Sequence, residues 1–101
     1  MISIEIDTPP EVALKLAQRV KMRRLELDLT QAGLARRAGV KLPTYRKFER
    51  TGEISLVGLL NIAFALDALD EFGSLFTTRR YRNLDEAISQ VEIKRKRGKR
   101  I

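Results

Sequence analysis

Residues Leu29 to Gly52 read LTQAGLARRAGVKLPTYRKFERTG, and this stretch spells out two short helices and the turn between them. Thr30 is placed to cap a helix over TQAGLARRA, its hydroxyl accepting from backbone N–H groups that have no partner in a first turn. Gly39 supplies the left-handed backbone that closes that helix at low cost, and Val40 after it points inward. A third helix then starts at Leu42 or Pro43 and runs to about Arg50, with Tyr45 and Phe48 three residues apart on its core side. Thr51-Gly52 ends it. Lys41, Arg46, Lys47 and Arg50 all fall on or beside this one helix. A helix meant only for packing would not carry that charge, whereas one meant to lie against phosphates and base edges would.

Outward from this centre the rest of the domain follows. Upstream, ISIEID alternates Ile2, Ile4 and Ile6 with polar residues at the two-residue period of a half-buried strand, and Thr8-Pro9-Pro10 stops it. A first helix is expected from about Pro10 to Leu27. Its apolar stripe is Leu16, Val20 and Leu27 with Ala13 and Ala17, which leaves Lys15, Arg19, Arg23 and Arg24 on the more exposed side. Downstream, Ser55 caps a fourth helix, SLVGLLNIAFALD, whose Leu56, Leu59, Leu60, Ala63 and Leu66 make the densest apolar face in the chain. A fifth helix, ALDEFGSLF, brings Leu69, Phe72, Leu75 and Phe76. Beyond Arg79-Arg80 lie a short amphipathic piece, NLDEAISQ, capped by Asn83, and an alternating QVEIK whose Val91 and Ile93 suit a strand paired with the N-terminal isoleucines, either within one chain or between two copies. The closing KRKRGKR can bury nothing and is expected to be mobile when unbound. The organisation is an N-terminal strand or arm over residues 1–9, a helical domain over 10–78 and a basic extension over 79–101.

The bulk numbers agree with one small domain that meets a polyanion. The chain has 101 residues and a net charge of +7, enough for a single modest core. The charge is uneven: residues 12 to 50 hold eleven Lys/Arg against three acids, and residues 79 to 101 hold nine against three, while the N-terminus and residues 51 to 78 are net acidic. No apolar run approaches the roughly 20 residues of a membrane helix, and MISIEIDTPPE lacks the basic start of a secretory signal, so a cytoplasmic, nucleoid-associated protein is expected. There are no cysteines and no histidines. Disulfides, thiolate zinc sites and the commonest general base are thereby removed, so no catalytic residue, metal, cofactor or small-molecule substrate is expected.

The segments LTQAGLARRAGV, TYRKFERTG and ISLVGLLNIAFAL resemble the helix-turn-helix family of phage repressors and Cro-type regulators, the XRE-like proteins, over about residues 12 to 76. The resemblance implies an all-α, five-helix lambda-repressor-like domain, here with a short N-terminal strand and a basic C-terminal extension. It implies motif roles for Thr30, Ala35, Gly39, Val40, Tyr45, Phe48 and Glu49: a small residue where the second and third helices cross, a left-handed glycine, and a valine wedge that fixes their angle. The positions that face base edges in the family fall on Leu42, Pro43, Arg46 and Lys47. Arg46 and Lys47 have the chemistry to reach guanine O6 and N7, whereas Leu42 and Pro43 replace the polar residues usual there and are limited to thymine methyls. Phosphate-contacting positions fall on Arg24, Gln31, Lys41, Thr44 and Arg50, with Arg24 and Glu49 matching a family ion pair that turns Arg24 toward the DNA backbone. The tail cations Lys94, Arg95, Lys96, Arg97, Lys99 and Arg100 are candidates for sequence-independent phosphate contact. Arg36 and Arg37, late on the second helix, are read as solvent-facing.

The function implied is a homodimeric, sequence-specific transcriptional regulator that binds double-stranded DNA and represses by occluding a pseudo-palindromic operator. Two alternatives stand beside it. One is an antitoxin of HipB-like type that also holds a kinase-type toxin partner inactive; the other is a nonspecific basic RNA- or ribosome-associated protein.

Overall fold

The computed structural model describes residues 7–78 together with 84–85, 88–89, 91 and 93. The first helix, α1, spans Pro9–Glu26 and begins with a complete capping box. The Thr8 hydroxyl accepts from the Glu11 amide while the Thr8 amide donates to Glu11 Oε1 at 2.8 Å, so two first-turn donors are satisfied reciprocally. The second helix, α2, spans Gln31–Ala38. Thr30 Oγ1 accepts from the Gly33 amide at 2.9 Å at its start, and Gly39 at φ 68° closes it. The third, α3, spans Leu42–Thr51 and ends on Gly52 at φ 83°. The fourth, α4, spans Leu56–Ala65, capped by Ser55 Oγ on the Gly58 amide at 3.0 Å.

The two left-handed glycines are held by different forces. A Cβ on Gly39 would meet nothing within 4 Å, so backbone conformation alone selects glycine there. A Cβ on Gly52 would fall 2.6 Å from the Ala13 carbonyl carbon and 2.7 Å from the Leu14 nitrogen. The α3 C-terminus is thus seated directly on the α1 backbone, a contact only glycine permits.

Helix α1 packs across α3, and α2 packs against both α3 and α4. The core they enclose is Ala17, Leu34, Ala35, Ala38, Tyr45, Phe48, Ile62, Ala63, Leu66 and Ala68, with Val20, Leu29, Val40, Leu42, Ile54, Leu59 and Phe72 packed against it. Tyr45 and Phe48 meet edge to face at 6.1 Å between ring centroids, the arrangement that aromatic quadrupoles prefer. Small Ala35 is 2% exposed where α2 approaches its neighbours.

The all-α class holds: the described residues contain the four α-helices above, further helical residues between 84 and 93, and no strand. The expected fifth helix is not one: it reduces to a single 3-10 turn over Leu69–Phe72. Ala68 offers no side-chain cap, Gly73 closes the turn after four residues, and so short a segment cannot repay helix nucleation. Leu75 and Phe76, expected in that helix, are exposed, and so is Leu56 on α4, while Leu60 is only partly buried. The strand expected at QVEIK is also corrected, since Val91 and Ile93 are helical, as are Leu84, Asp85, Ile88 and Ser89. Leu84, Ile88 and Val91 recur at i, i+4 and i+7, a longer periodic signal than the brief alternation of Val91 and Ile93. The strand expected at Ile2, Ile4 and Ile6 lies outside the described residues. No helix among the described residues is long and apolar enough to cross a membrane.

Candidate nucleic-acid interface

Helix α3 is divided lengthwise. One side is fixed by Tyr45 and Phe48, both essentially without solvent exposure, and by Glu49, whose side chain is 6% exposed. The other carries Pro43, Arg46, Lys47 and Arg50, all exposed, with Lys41 and Thr44 exposed at its start. Lys41 is the N-cap residue and makes no side-chain cap bond, so its ammonium is not engaged in closing the helix. Pro43 in the first turn removes an N–H that would have lacked a partner anyway.

What holds α3 in this attitude is a polar network centred on Glu49. Arg24 of α1 donates from Nε to Glu49 Oε2 at 2.8 Å and from Nη2 to Oε1 at 3.3 Å. Gln31 of α2 donates from Nε2 to Oε1 at 2.9 Å, and the Tyr45 hydroxyl donates to Oε2. Arg24 Nη1 donates to the Leu29 carbonyl at 2.7 Å, which fixes the α1–α2 connection as well. One carboxylate therefore ties three helices together, and no buried side-chain polar atom among the described residues lacks a partner. Burial by itself would raise the Glu49 carboxyl, but the bonds from Arg24, Tyr45 and Gln31 prevail and hold it below the usual carboxylate range. Burial, followed by the bond to Glu49, pushes the Tyr45 hydroxyl well above its ordinary value, so it stays a neutral donor. The Glu49 bond raises Arg24 further still.

Two expected site residues are placed differently by this geometry. Arg24 was expected on the exposed side of α1 and on the DNA backbone; it is 6% exposed, and its guanidinium is turned inward to Glu49 and Leu29. A buried guanidinium needs a carboxylate beside it, and Glu49 on α3 supplies one. Leu42 was expected at a base edge; it is half-buried and packed against the core, because the helical turn from Phe48 and Tyr45 brings it round to their side. Gln31 starts α2 as expected, but its amide nitrogen is committed to Glu49. Thr30, Ala35, Gly39 and Val40 occupy the cap, crossing and turn positions described above, with the Val40 amide donating to the Ala35 carbonyl at 2.9 Å. Arg36 and Arg37 are exposed. Lys94, Arg95, Lys96, Arg97, Lys99 and Arg100 lie outside the described residues.

The structure adds one residue that sequence reading missed. Lys21 of α1 lines an open cleft with Gln31, Arg46, Glu49 and Arg50. Among the described residues, three cations thus converge on one concave surface whose only carboxylate, Glu49, is already engaged by its own donors. Spacing places Lys21 one turn before Arg24, but only the packing of α1 on α3 brings it to Arg46 and Arg50.

Comparison with known proteins gives one match: residues 20–63 fit the model of the helix-turn-helix family. That span runs from the second half of α1 to the last turn of α4 and includes the whole Glu49 network. No curated protein matches the chain.

Proposed function

We propose, from the helix-turn-helix match over residues 20–63, which supports an XRE-like DNA-binding transcriptional regulator, that this chain acts as a homodimeric repressor reading a pseudo-palindromic operator. The observation that carries the reading is the division of α3. Its inner side is locked to α1 and α2 through Glu49, and its outer side exposes Arg46 and Lys47, the latter ion-paired only at the surface with Glu53 among the described residues. A major groove is about 12 Å wide, accepts one helix and displays a distinct donor and acceptor pattern for each base pair. Arg46, Lys47 and Pro43 are the residues of α3 that face it. Lys21, Arg50 and Lys41, with the N-terminus of α2, supply phosphate contacts that set register without reading sequence.

The dimer reading is supported by the outer side of α4. This helix contains no charged residue, and opposite its buried Ile62 and Ala63 it exposes Val57 and Phe64, the latter 73% exposed. Burying such side chains is worth about 1.5 to 3 kcal/mol each, so a second copy is a natural cover. Two copies related by a two-fold axis would set their α3 helices about 34 Å apart, one helical turn of DNA.

The test is footprinting of the purified protein on duplexes selected from random sequence, with Arg46→Ala and Lys47→Ala beside a variant ending at Ile93. The alanine variants are expected to relax preference at one or two base pairs. Loss of the tail is expected to weaken all duplexes alike and flatten the salt dependence. Equal loss of discrimination in both kinds of variant would refute the division between reading helix and tail, and a footprint without two-fold symmetry would refute the dimer.

A further inference from the structure

Between Leu29 and Leu66 the sequence holds two acids, Glu49 and Glu53. The first is buried in the network; the second is the one exposed carboxylate of this stretch, and it stands beside the reading helix. Glu53 Oε1 lies 3.2 Å from Lys47 Nζ, with the two side chains 69% and 57% exposed. The turn that brings them together is built. Thr51 Oγ1 donates to the Lys47 carbonyl at 2.7 Å and accepts from the Glu53 amide at 3.1 Å. Gly52 between them is seated against the α1 backbone in a conformation no other residue adopts easily. The turn therefore fixes the backbone of Glu53 within reach of the Lys47 side chain.

An ion pair this exposed contributes little to stability, so stability does not account for a carboxylate at this position. Its effect falls on DNA. Lys47 must leave this carboxylate before its ammonium can pair with a phosphate. We propose that Glu53 is a specificity-determining residue that acts through Lys47: it occupies the ammonium against sequence-independent phosphate pairing and leaves it available to a base edge in the correct register. Nonspecific binding is penalised more than operator binding. The proposal rests on the DNA-reading function given above.

The experiment compares wild type, Glu53→Gln, Lys47→Ala and the double variant on two duplexes, one selected from random sequence by the wild-type protein and one scrambled from it, across a salt series. Glu53→Gln is expected to tighten scrambled-duplex binding about two- to fivefold, and to steepen its log-log salt slope by about 0.9, the equivalent of one added phosphate contact. The selected duplex should gain less, so the specificity ratio falls. In the Lys47→Ala background the same change is expected to alter neither quantity. An unchanged slope and affinity in Glu53→Gln would overturn the proposal. So would an effect of full size without Lys47, which would make Glu53 a direct phosphate repeller, or lost preference at a single base pair with the scrambled duplex unaffected, which would make it a base reader. A wild type that binds neither duplex would instead refute DNA reading itself, so the two failures are distinguishable.

Discussion

Replacing Glu49 with alanine should cost this domain a large part of its stability. The change leaves the Arg24 guanidinium, with its side chain 8% exposed, facing no carboxylate, and strands the Gln31 amide and the Tyr45 hydroxyl. Removing one member of a buried ion pair costs about 3 to 5 kcal/mol because the remaining charge stays desolvated. Each neutral donor left without a partner adds about 1 kcal/mol or more unless water reaches it. The Arg24 bond to the Leu29 carbonyl survives and offsets part of this. The net loss expected is about 3 to 5 kcal/mol, against a total stability of about 4 to 10 kcal/mol for a domain of this size. Urea unfolding followed by circular dichroism reads it directly as a fall in midpoint. The double variant Arg24→Met, Glu49→Leu should recover most of the loss, since an apolar pair leaves no orphaned charge, and double-mutant analysis would give the coupling. A loss below about 1 kcal/mol in Glu49→Ala would place the pair among surface ion pairs and refute the claim that this network orients α3.

Three further outcomes are expected. Gly52→Ala should destabilise far more than Gly39→Ala in the same unfolding assay: both pay about 1 to 2 kcal/mol for the left-handed backbone, but only the Gly52 variant also drives a methyl into the Ala13–Leu14 backbone, and equal losses would contradict the seating of α3 on α1. Stability should be level near neutral pH and decline in acid. Glu49, held down by its bonds despite burial, and Glu11, lowered by the Thr8 backbone and hydroxyl, contribute fully above the unfolded carboxylate value of about 4.3 and lose that contribution as pH falls through their lowered values; thermal melts that improve on acidification would contradict this. Lys21→Ala and Arg50→Ala should each weaken binding to selected and scrambled duplexes alike and reduce the salt slope by about 0.9, as measured by titration at several salt concentrations; a change in preferred sequence would show that the cleft reads bases.

Much of this was legible in the sequence because its signals are local. Thr30, Gly39 and Ser55 mark helix ends through single hydrogen bonds or single backbone conformations, and each proved to act at the predicted place. The spacing of Tyr45 and Phe48 likewise gave the buried side of α3. What failed depended on tertiary context. The Arg24–Glu49 pair implied by the resemblance does form, but helix periodicity alone left Arg24 on the exposed side of α1, and only the packing of α3 shows its guanidinium turned inward. Leu42 has the same apolar signal whether it faces a groove or a core. Residues 68–76 have helical apolar spacing but lack a cap and contain Gly73, so only a 3-10 turn forms. Lys21 was missed because its relevance lies in the cleft it shares with Arg46 and Arg50 on another helix. The importance of Glu53 could not be read from spacing, since its contact with Lys47 is made by the turn at Gly52.

If helix α3, locked from behind, offers its outer cations to the edges of base pairs, competition binding will reveal it. Wild-type protein is equilibrated at physiological salt with a labelled selected duplex and challenged with the same duplex or a scrambled one. The scrambled competitor is expected to be weaker by a factor of about a thousand or more. Competition by the two within about threefold of each other would mean that phosphate attraction alone holds the complex, and would contradict base reading by α3.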